Sequence, residues 1–188
     1  DMYDFHADPP RLLTPLHLMT EVTERVDCTG AVITPLDEND VRRAVRELRD
    51  QGVTTIAGTL MHSPVNPAHE RRIGQIIAEE APAMCVALSS TVLPVSGEVE
   101  RWSTTMFAAY VAPVVTAFVT RIGTLLAEAG FGGQLLFIQS NGGSATPEIV
   151  KENPAVLLLS GPAAGPSLGL ALGLDHEHRN VLSVDMGG

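Results

Sequence analysis

The stretch VTTIAGTL, Val53–Leu60, is β-branched and mostly apolar along its length, the pattern of a strand covered on both faces. On its N-terminal side Leu36, Val41, Ala44, Val45 and Leu48 recur at helical spacing, Arg42, Arg43, Arg46 and Arg49 fall on other faces, and Gly52 supplies a stop. On its C-terminal side Asn66 reads as a cap and Pro67 as a first helical position, and Ile73, Ile76 and Ile77 form an inward stripe. A further strand is expected at Met84–Leu88. Helices alternating with strands in this way predict an α/β layer with a largely parallel sheet. Further upstream, LMTEVTERV (Leu18–Val26) alternates apolar and polar residues as a half-buried strand does. The turn at Thr29-Gly30 then lets AVIT pair back as a hairpin.

The composition suits a packed protein. With 188 residues and 45% hydrophobic content there is room for one large or two small domains. A formal net charge of -10 argues against a nucleic-acid surface, which needs clustered Lys and Arg, and against an anionic membrane. The apolar run Met106–Val119 contains Pro113, is shorter than the roughly 20 residues a bilayer span requires, and reads as a buried helix. No basic segment with an apolar core opens the sequence, and Cys28 and Cys85 have no metal-ligand spacing, so a reducing cytoplasm is the expected location.

After Val95–Ser103 the grammar changes. Met106, Tyr110, Val114, Phe118, Ile122 and Leu125 form a stripe that predicts one long helix ending near Gly130, with a unit boundary near Gly97. Then follow an expected strand at LLFIQS, a glycine turn at Asn141–Ser144, a short helix at Pro147–Glu152, a strand at AVLLL, a small-residue helix from Pro162 to Leu174 and a strand at Asn180–Asp185.

Three glycine-containing stretches in this half are candidates for chemistry. In SNGG, Ser140–Gly143, backbone N–H groups and the Ser140 and Asn141 side chains suit an anion or a carbonyl; the residues alone favour an ordinary turn, since Asn and Gly tolerate positive φ. In SGPAAGPSLG, Gly161, Ala163, Ala164, Gly165 and Gly169 leave a bare helix face, for a ligand or for tight packing, and Ser160 stands near the positive end of a helix that begins at Gly161. VLSVDMGG, Val181–Gly188, is a strand delivering an acid and two glycines, a way to present a carboxylate and N–H groups to a phosphate and its metal. His176 and His178 in DHEHRN read as a solvated loop rather than a zinc site, and His62 as a turn residue. No Walker loop, G-x-G-x-x-G, G-x-S-x-G or H-E-x-x-H pattern occurs.

In order and spacing, LLFIQSNGG, LLLSGPAAG and NVLSVDMGG resemble the hydantoinase A / 5-oxoprolinase family, which includes N-methylhydantoinase and the ATP-binding subunits of acetone-type and acetophenone-type carboxylases. The likeness extends upstream through ERVDCTGAVITPLDENDVRRAVRELRDQGV, NPAHERRI and LSSTVLPVSGEVERWSTT. It implies an α/β fold similar to the actin and Hsp70 ATPases, of which this chain is an internal portion. Residues 1–96 would be the C-terminal part of the N-terminal hydantoinase/oxoprolinase domain, and residues 97–188 the start of the ATPase domain, truncated at its second phosphate loop. A D-x-G-G-T-type first loop and an adenosine-binding segment are absent from it, so the segment alone is expected to hydrolyse little ATP.

By the same resemblance the cofactors are ATP and Mg2+. Asp185 is the catalytic acid and metal ligand, Gly187, Gly188, Gly161 and Ser160 contact nucleotide phosphates, and Ser140, Asn141, Gly142 and Gly143 contact substrate. Where Hsp70-like proteins carry Glu-Pro at the start of a cleft helix, this chain has Gly161-Pro162-Ala163-Ala164, so that carboxylate is missing. The implied reaction is hydrolysis of a hydantoin, 5-oxoproline or related cyclic amide after phosphorylation of its carbonyl, with a hydantoinase B-like second subunit or domain as partner. The nucleotide-binding subunit of a ketone carboxylase and a non-catalytic α/β interaction module are the alternatives.

Overall fold

The computed structural model describes residues 12–186. Its N-terminal half is built on β3 (Thr55–Gly58) and β4 (Cys85–Leu88), which pair in parallel with Ile56 opposite Val86 and Ala57 opposite Ala87. Strand alternation sends these pairs to opposite faces. Ile56 and Val86 pack with Val41 and Val45 of α1 (Glu38–Asp50) and with Ile73, Ile76 and Ile77 of α2 (Ala68–Glu80). Ala57 and Ala87 meet Ala108 and Ala109 of α4 (Glu98–Glu128), so the small parallel sheet lies between two helical layers. The α/β reading is met.

Local signals act as their chemistry requires. The Asp37 carboxylate caps α1 by accepting from the Asn39 and Asp40 N–H groups, and Gly52 ends it with φ +80°. Asn66 Oδ1 accepts from the Ala68 N–H at the start of α2, while its Nδ2 donates to the Gly30 carbonyl and ties α2 to the hairpin of β1 (Arg25–Val26) and β2 (Val32–Thr34). The expected strand over Leu18–Val26 forms only at its last two residues. Thr23 instead donates its N–H and hydroxyl to the Asp40 carboxylate, and its carbonyl takes the Asp37 N–H, so this part of the chain is bound to α1 rather than to a strand.

Between α1 and α2 runs a lattice of ion pairs. Arg42 and Arg46 both reach Glu80 at 2.8 Å, and Arg72 bridges Glu38 and Glu79. The two guanidinium groups hold the Glu80 carboxyl at about 2.

The long helix is real but faces the other way. Tyr110 is 69% and Val114 73% exposed, and Phe118 and Leu125 are also open, whereas Arg101, Thr105, Ala108, Ala112 and Val119 are buried. By length and composition α4 is long and apolar enough to cross a membrane. Its first half nevertheless packs on the β3–β4 sheet, and its second half carries a separate core in which Val119 meets Ala145 and Val150.

In the C-terminal half, β5 (Phe137–Ile138) and β6 (Ser144–Ala145) form an antiparallel hairpin, followed by α5 (Pro147–Glu152) and α6 (Ser160–Asp175). Two expected strands are corrected. AVLLL lies in a 3-10 turn over Pro154–Leu157 and the residues after it, since Pro154 has no N–H for a ladder and the Val156 carbonyl is taken by Ser140. The segment from Asn180 to Asp185 has no strand partner among the described residues, although its side chains alternate: Leu182 at 89% and Met186 at 93% exposure point away, while Val181 and Ser183 face α6.

Two stability effects follow. Because the folded pKa of Glu80 is depressed, its contribution is present above the ordinary glutamate range and is lost as pH falls towards about 2. Glu80→Gln should therefore lower the urea midpoint at pH 7, with the gap to the parent closing through that acid window. Gly52→Ala should cost about 1–2 kcal/mol by thermal or urea unfolding, because nothing lies within 4 Å of the added Cβ and the whole effect is its positive φ.

Candidate functional site

The SNGG turn closes the β5–β6 hairpin rather than linking a strand to a helix. Gly142 donates its N–H to the Gln139 carbonyl and sits at φ +81°, and Asn141 Oδ1 accepts the Gly143 N–H at 2.8 Å. Glycine is needed at position 142 because a Cβ is strained there. The Asn141 oxygen is thus spent within the turn, which leaves its amide nitrogen as the group able to reach a ligand.

Ser140 has a more committed role. Its N–H and its hydroxyl both donate to the Val156 carbonyl, at 2.7 and 2.8 Å, and its Oγ accepts the Leu159 N–H at 3.1 Å. Leu159 is the N-cap residue of α6, so one serine fixes the glycine turn to the start of that helix. Gly142 approaches from the same direction, with its Cβ position 3.7 Å from Ser167 Oγ.

The N-terminus of α6 is electrostatically bare. No side chain caps it and no acidic residue lies in its first turn, so the N–H groups of Ser160 and Gly161 and the positive end of the helix dipole stay available to an anion. Pro162 falls in the first turn, where its missing N–H is harmless.

The segment that leads to Asp185 runs along α6. A Cβ on Gly173 would strike Val181, one on Gly169 would lie 3.4 Å from Val181 and 3.6 Å from Ser183, and one on Gly165 would lie 3.9 Å from Ser183 Oγ. Two residues of extended chain therefore run antiparallel past four residues of helix, about 6–7 Å on either element. Asp185 is exposed and follows on the face of Val181 and Ser183, while the space around Gly161 at the start of α6 is open. Ser140–Gly143, Ser160 and Gly161 thus gather at one end of one helix, the contacts of the Val181–Ser183 segment with α6 extend to Gly165, and Gly187 and Gly188 lie outside the described residues.

The bare helix face is filled by packing: Gly165, Gly169 and Gly173 admit the Val181–Ser183 segment. A groove of about 740 Å³ between these elements runs along α6 from Pro166 to Leu174 and is closed by His178, Arg179, Val181 and Ser183. His176 and His178 belong to a loop, and among the described residues no group of three His, Cys, Asp or Glu side chains is placed to hold a metal. His62 adopts φ +59°, and its carbonyl accepts the Val65 and Asn66 N–H groups, which is the turn role expected of it.

The sequence reading missed a buried polar cluster at the carboxyl ends of β3 and β4. Glu70, Ser89 and Arg101 are fully buried and Ser63 nearly so. The Glu70 carboxylate accepts from the Leu60 N–H, the Ser89 hydroxyl and the Ser90 N–H at 2.6–2.8 Å. Arg101 donates to Ser89 Oγ and to the carbonyls of Val95 and Leu60. A signal existed: Glu70 shares the inward face of Ile73 and Ile77, an odd place for an acid without a partner. Beside it, His69 Nδ1 lies 2.8 Å from Glu24 Oε2 and fastens α2 to the chain just before β1.

Comparison with known proteins identifies relatives of both halves of the chain. Residues 1–81 match the hydantoinase/oxoprolinase N-terminal region and residues 101–188 match the hydantoinase/oxoprolinase domain. The caprolactamase subunit alpha of Pseudomonas jessenii is 34% identical over 99% of this chain and 27% of its own length. The acetophenone carboxylase gamma subunit of Aromatoleum aromaticum is 35% identical over 91% of this chain and 24% of its own. The crystal structure of the ATP-dependent caprolactamase from Pseudomonas jessenii superposes with a TM-score of 0.84 over 99% of this chain and 27% of that one. The chain thus spans about a quarter of the length of these relatives. With both of its halves matched and its fold shared at this level of identity, the chain belongs to the hydantoinase/oxoprolinase family.

Proposed function

We propose that this chain is the central segment of an ATP-dependent hydrolase of cyclic amides. The observation that carries the reading is the Ser140–Leu159 hydrogen bond, which joins the glycine turn to the uncapped, acid-free start of α6. The hydrolase reading draws support from the caprolactamase relative, whose name denotes action on a lactam, and the ATP requirement from the ATP-dependent caprolactamase structure.

A cyclic amide resists water because resonance lowers the electrophilicity of its carbonyl carbon. ATP, when bound, supplies the phosphoryl group that turns the amide oxygen into a leaving group. The residues of this chain bind and orient. The Ser160 and Gly161 N–H groups and the α6 dipole hold phosphate oxygens as preorganised donors. Asp185 is the carboxylate that would hold Mg2+, an ion commonly bound through one or two carboxylates together with substrate phosphates. The Asn141 amide is the group for the substrate carbonyl, and Ser140, already donating and accepting, positions the turn instead of touching substrate. A unit boundary near residue 97, an actin-like ATPase fold, a cytoplasmic location and a hydantoinase B-like partner belong to this reading; the subunit names of the relatives support the partner.

The carboxylase alternative rests on the acetophenone carboxylase subunit, whose identity to this chain matches that of the caprolactamase. In the intact protein, Asp185→Asn should lower substrate-dependent phosphate release by about 10²–10³-fold, the scale of losing a main electrostatic contact in a preorganised site; near-normal turnover refutes the assignment. Phosphate release driven by 5-oxoproline, hydantoin or caprolactam without bicarbonate supports the hydrolase. An absolute bicarbonate requirement with a ketone selects the carboxylase.

A further inference from the structure

The side chains of α4 pose a question of rotation. Phe107, Tyr110 and Val114 point outward and Phe118 is half exposed beside Phe137, while the apolar contacts with the β3–β4 sheet are made by Ala108 and Ala109. A helix apolar on every side takes its azimuth from whichever face has the best partner, and burial of apolar area alone favours the larger side chains. The observed azimuth is the other one.

A polar group on the inward face accounts for it. We propose that Arg101 is a positioning residue that fixes the rotation and register of α4. Its fork is held at three points on separate pieces of chain: Nε donates to Ser89 Oγ, one terminal nitrogen to the Val95 carbonyl and the other to the Leu60 carbonyl beyond β3. The Ser89 hydroxyl donates its own hydrogen bond to Glu70 Oε1 at 2.6 Å, so a buried carboxylate and a buried guanidinium are joined through a hydroxyl and through the Leu60 peptide, whose N–H also goes to Glu70. Any other rotation of α4 would carry the guanidinium away from these acceptors and leave Glu70 a buried carboxylate without its cation, and a buried charge without a counter-charge costs far more than an exposed phenyl ring. Buried polar groups that specify register at some expense of stability are known from helical assemblies.

The consequence is felt along the helix. Val119 lies 18 residues on, about 27 Å at the helical rise, in the core that it shares with Ala145 of β6 and Val150 of α5. Rotating α4 would remove Val119 from that core, and the hairpin carrying Ser140–Gly143 would lose its support. This register assignment stands whether or not the functional reading does.

The test uses single-cysteine versions of the protein, Cys28 and Cys85 being replaced by serine, with Phe118→Cys or Val119→Cys as the reporter. Position 118 is half exposed and position 119 is buried, so iodoacetamide should modify the former faster, by about a hundredfold if opening is governed by the stability of the core. In the Glu70→Gln/Arg101→Met background, with helix content and a cooperative urea transition retained, the ratio should fall to about threefold or less as both faces of α4 become equivalent. A folded double variant that keeps the parental ratio overturns the proposal, since a merely stabilising role would lower the urea midpoint and leave the ratio in place. If the double variant does not fold, Arg101→Lys decides: it keeps the charge and loses the fork, and should reduce the ratio by about tenfold. An unchanged ratio there is equally fatal.

Discussion

One helix has to serve two cores. The 31 residues of α4 extend about 46 Å, and its two halves contact different neighbours: alanines meet alanines over the β3–β4 sheet, and Val119 enters the small core of β6 and α5. Neither core is large, and neither the parallel strand pair nor the β5–β6 hairpin has enough strands for independent stability. Each is held by being pressed on α4. Pro113 lies within this shared wall and removes one backbone hydrogen bond, yet its ring is on the exposed side, where the loss of a donor is tolerated best.

The candidate site is assembled at the far end of this wall by backbone chemistry more than by side chains. Ser140 spends three hydrogen bonds on holding a turn against a helix start, and the helix offers N–H groups that no side chain caps. Such a site is selective for negative charge by construction, since an anion is what unsatisfied N–H groups and a positive dipole end favour. It contrasts with the α1–α2 surface, where every named arginine is matched by a carboxylate and the charges serve packing between helices.

Much of the N-terminal unit was legible because its signals are local and periodic. Asp37, Gly52 and Asn66 do what their side chains and backbone preferences require, and Ile73, Ile76 and Ile77 point inward as spaced. The rotation of α4 was not legible from its apolar stripe, because hydrophobicity is nearly uniform around it and the deciding group, Arg101, looks like a surface residue in sequence. The stretch AVLLL was unreadable for a different reason: an apolar run of five bounded by proline fits a buried strand and a packed turn equally well, and the choice was made by Ser140, 16 residues away from Val156. The convergence of SNGG with the start of α6 is likewise a tertiary fact, whereas the kinds of residue that take part were visible.

The glycines of α6 remove an apparent choice between packing and function. A bare helix face suggests either a neighbour or a ligand, and here Gly165, Gly169 and Gly173 plainly receive the Val181–Ser183 segment. That packing is what aims Asp185. Because the segment alternates, the residues that fit against the glycines and the acid that follows them share one face, and the segment runs antiparallel to α6, towards the end of the helix where the N–H groups are free. A larger residue at position 169 or 173 would push the segment away and move the carboxylate with it. Close backbone approach along the helix thus sets the direction in which the chain carries a negative side chain, towards a helix end whose positive dipole and free N–H groups favour an anion.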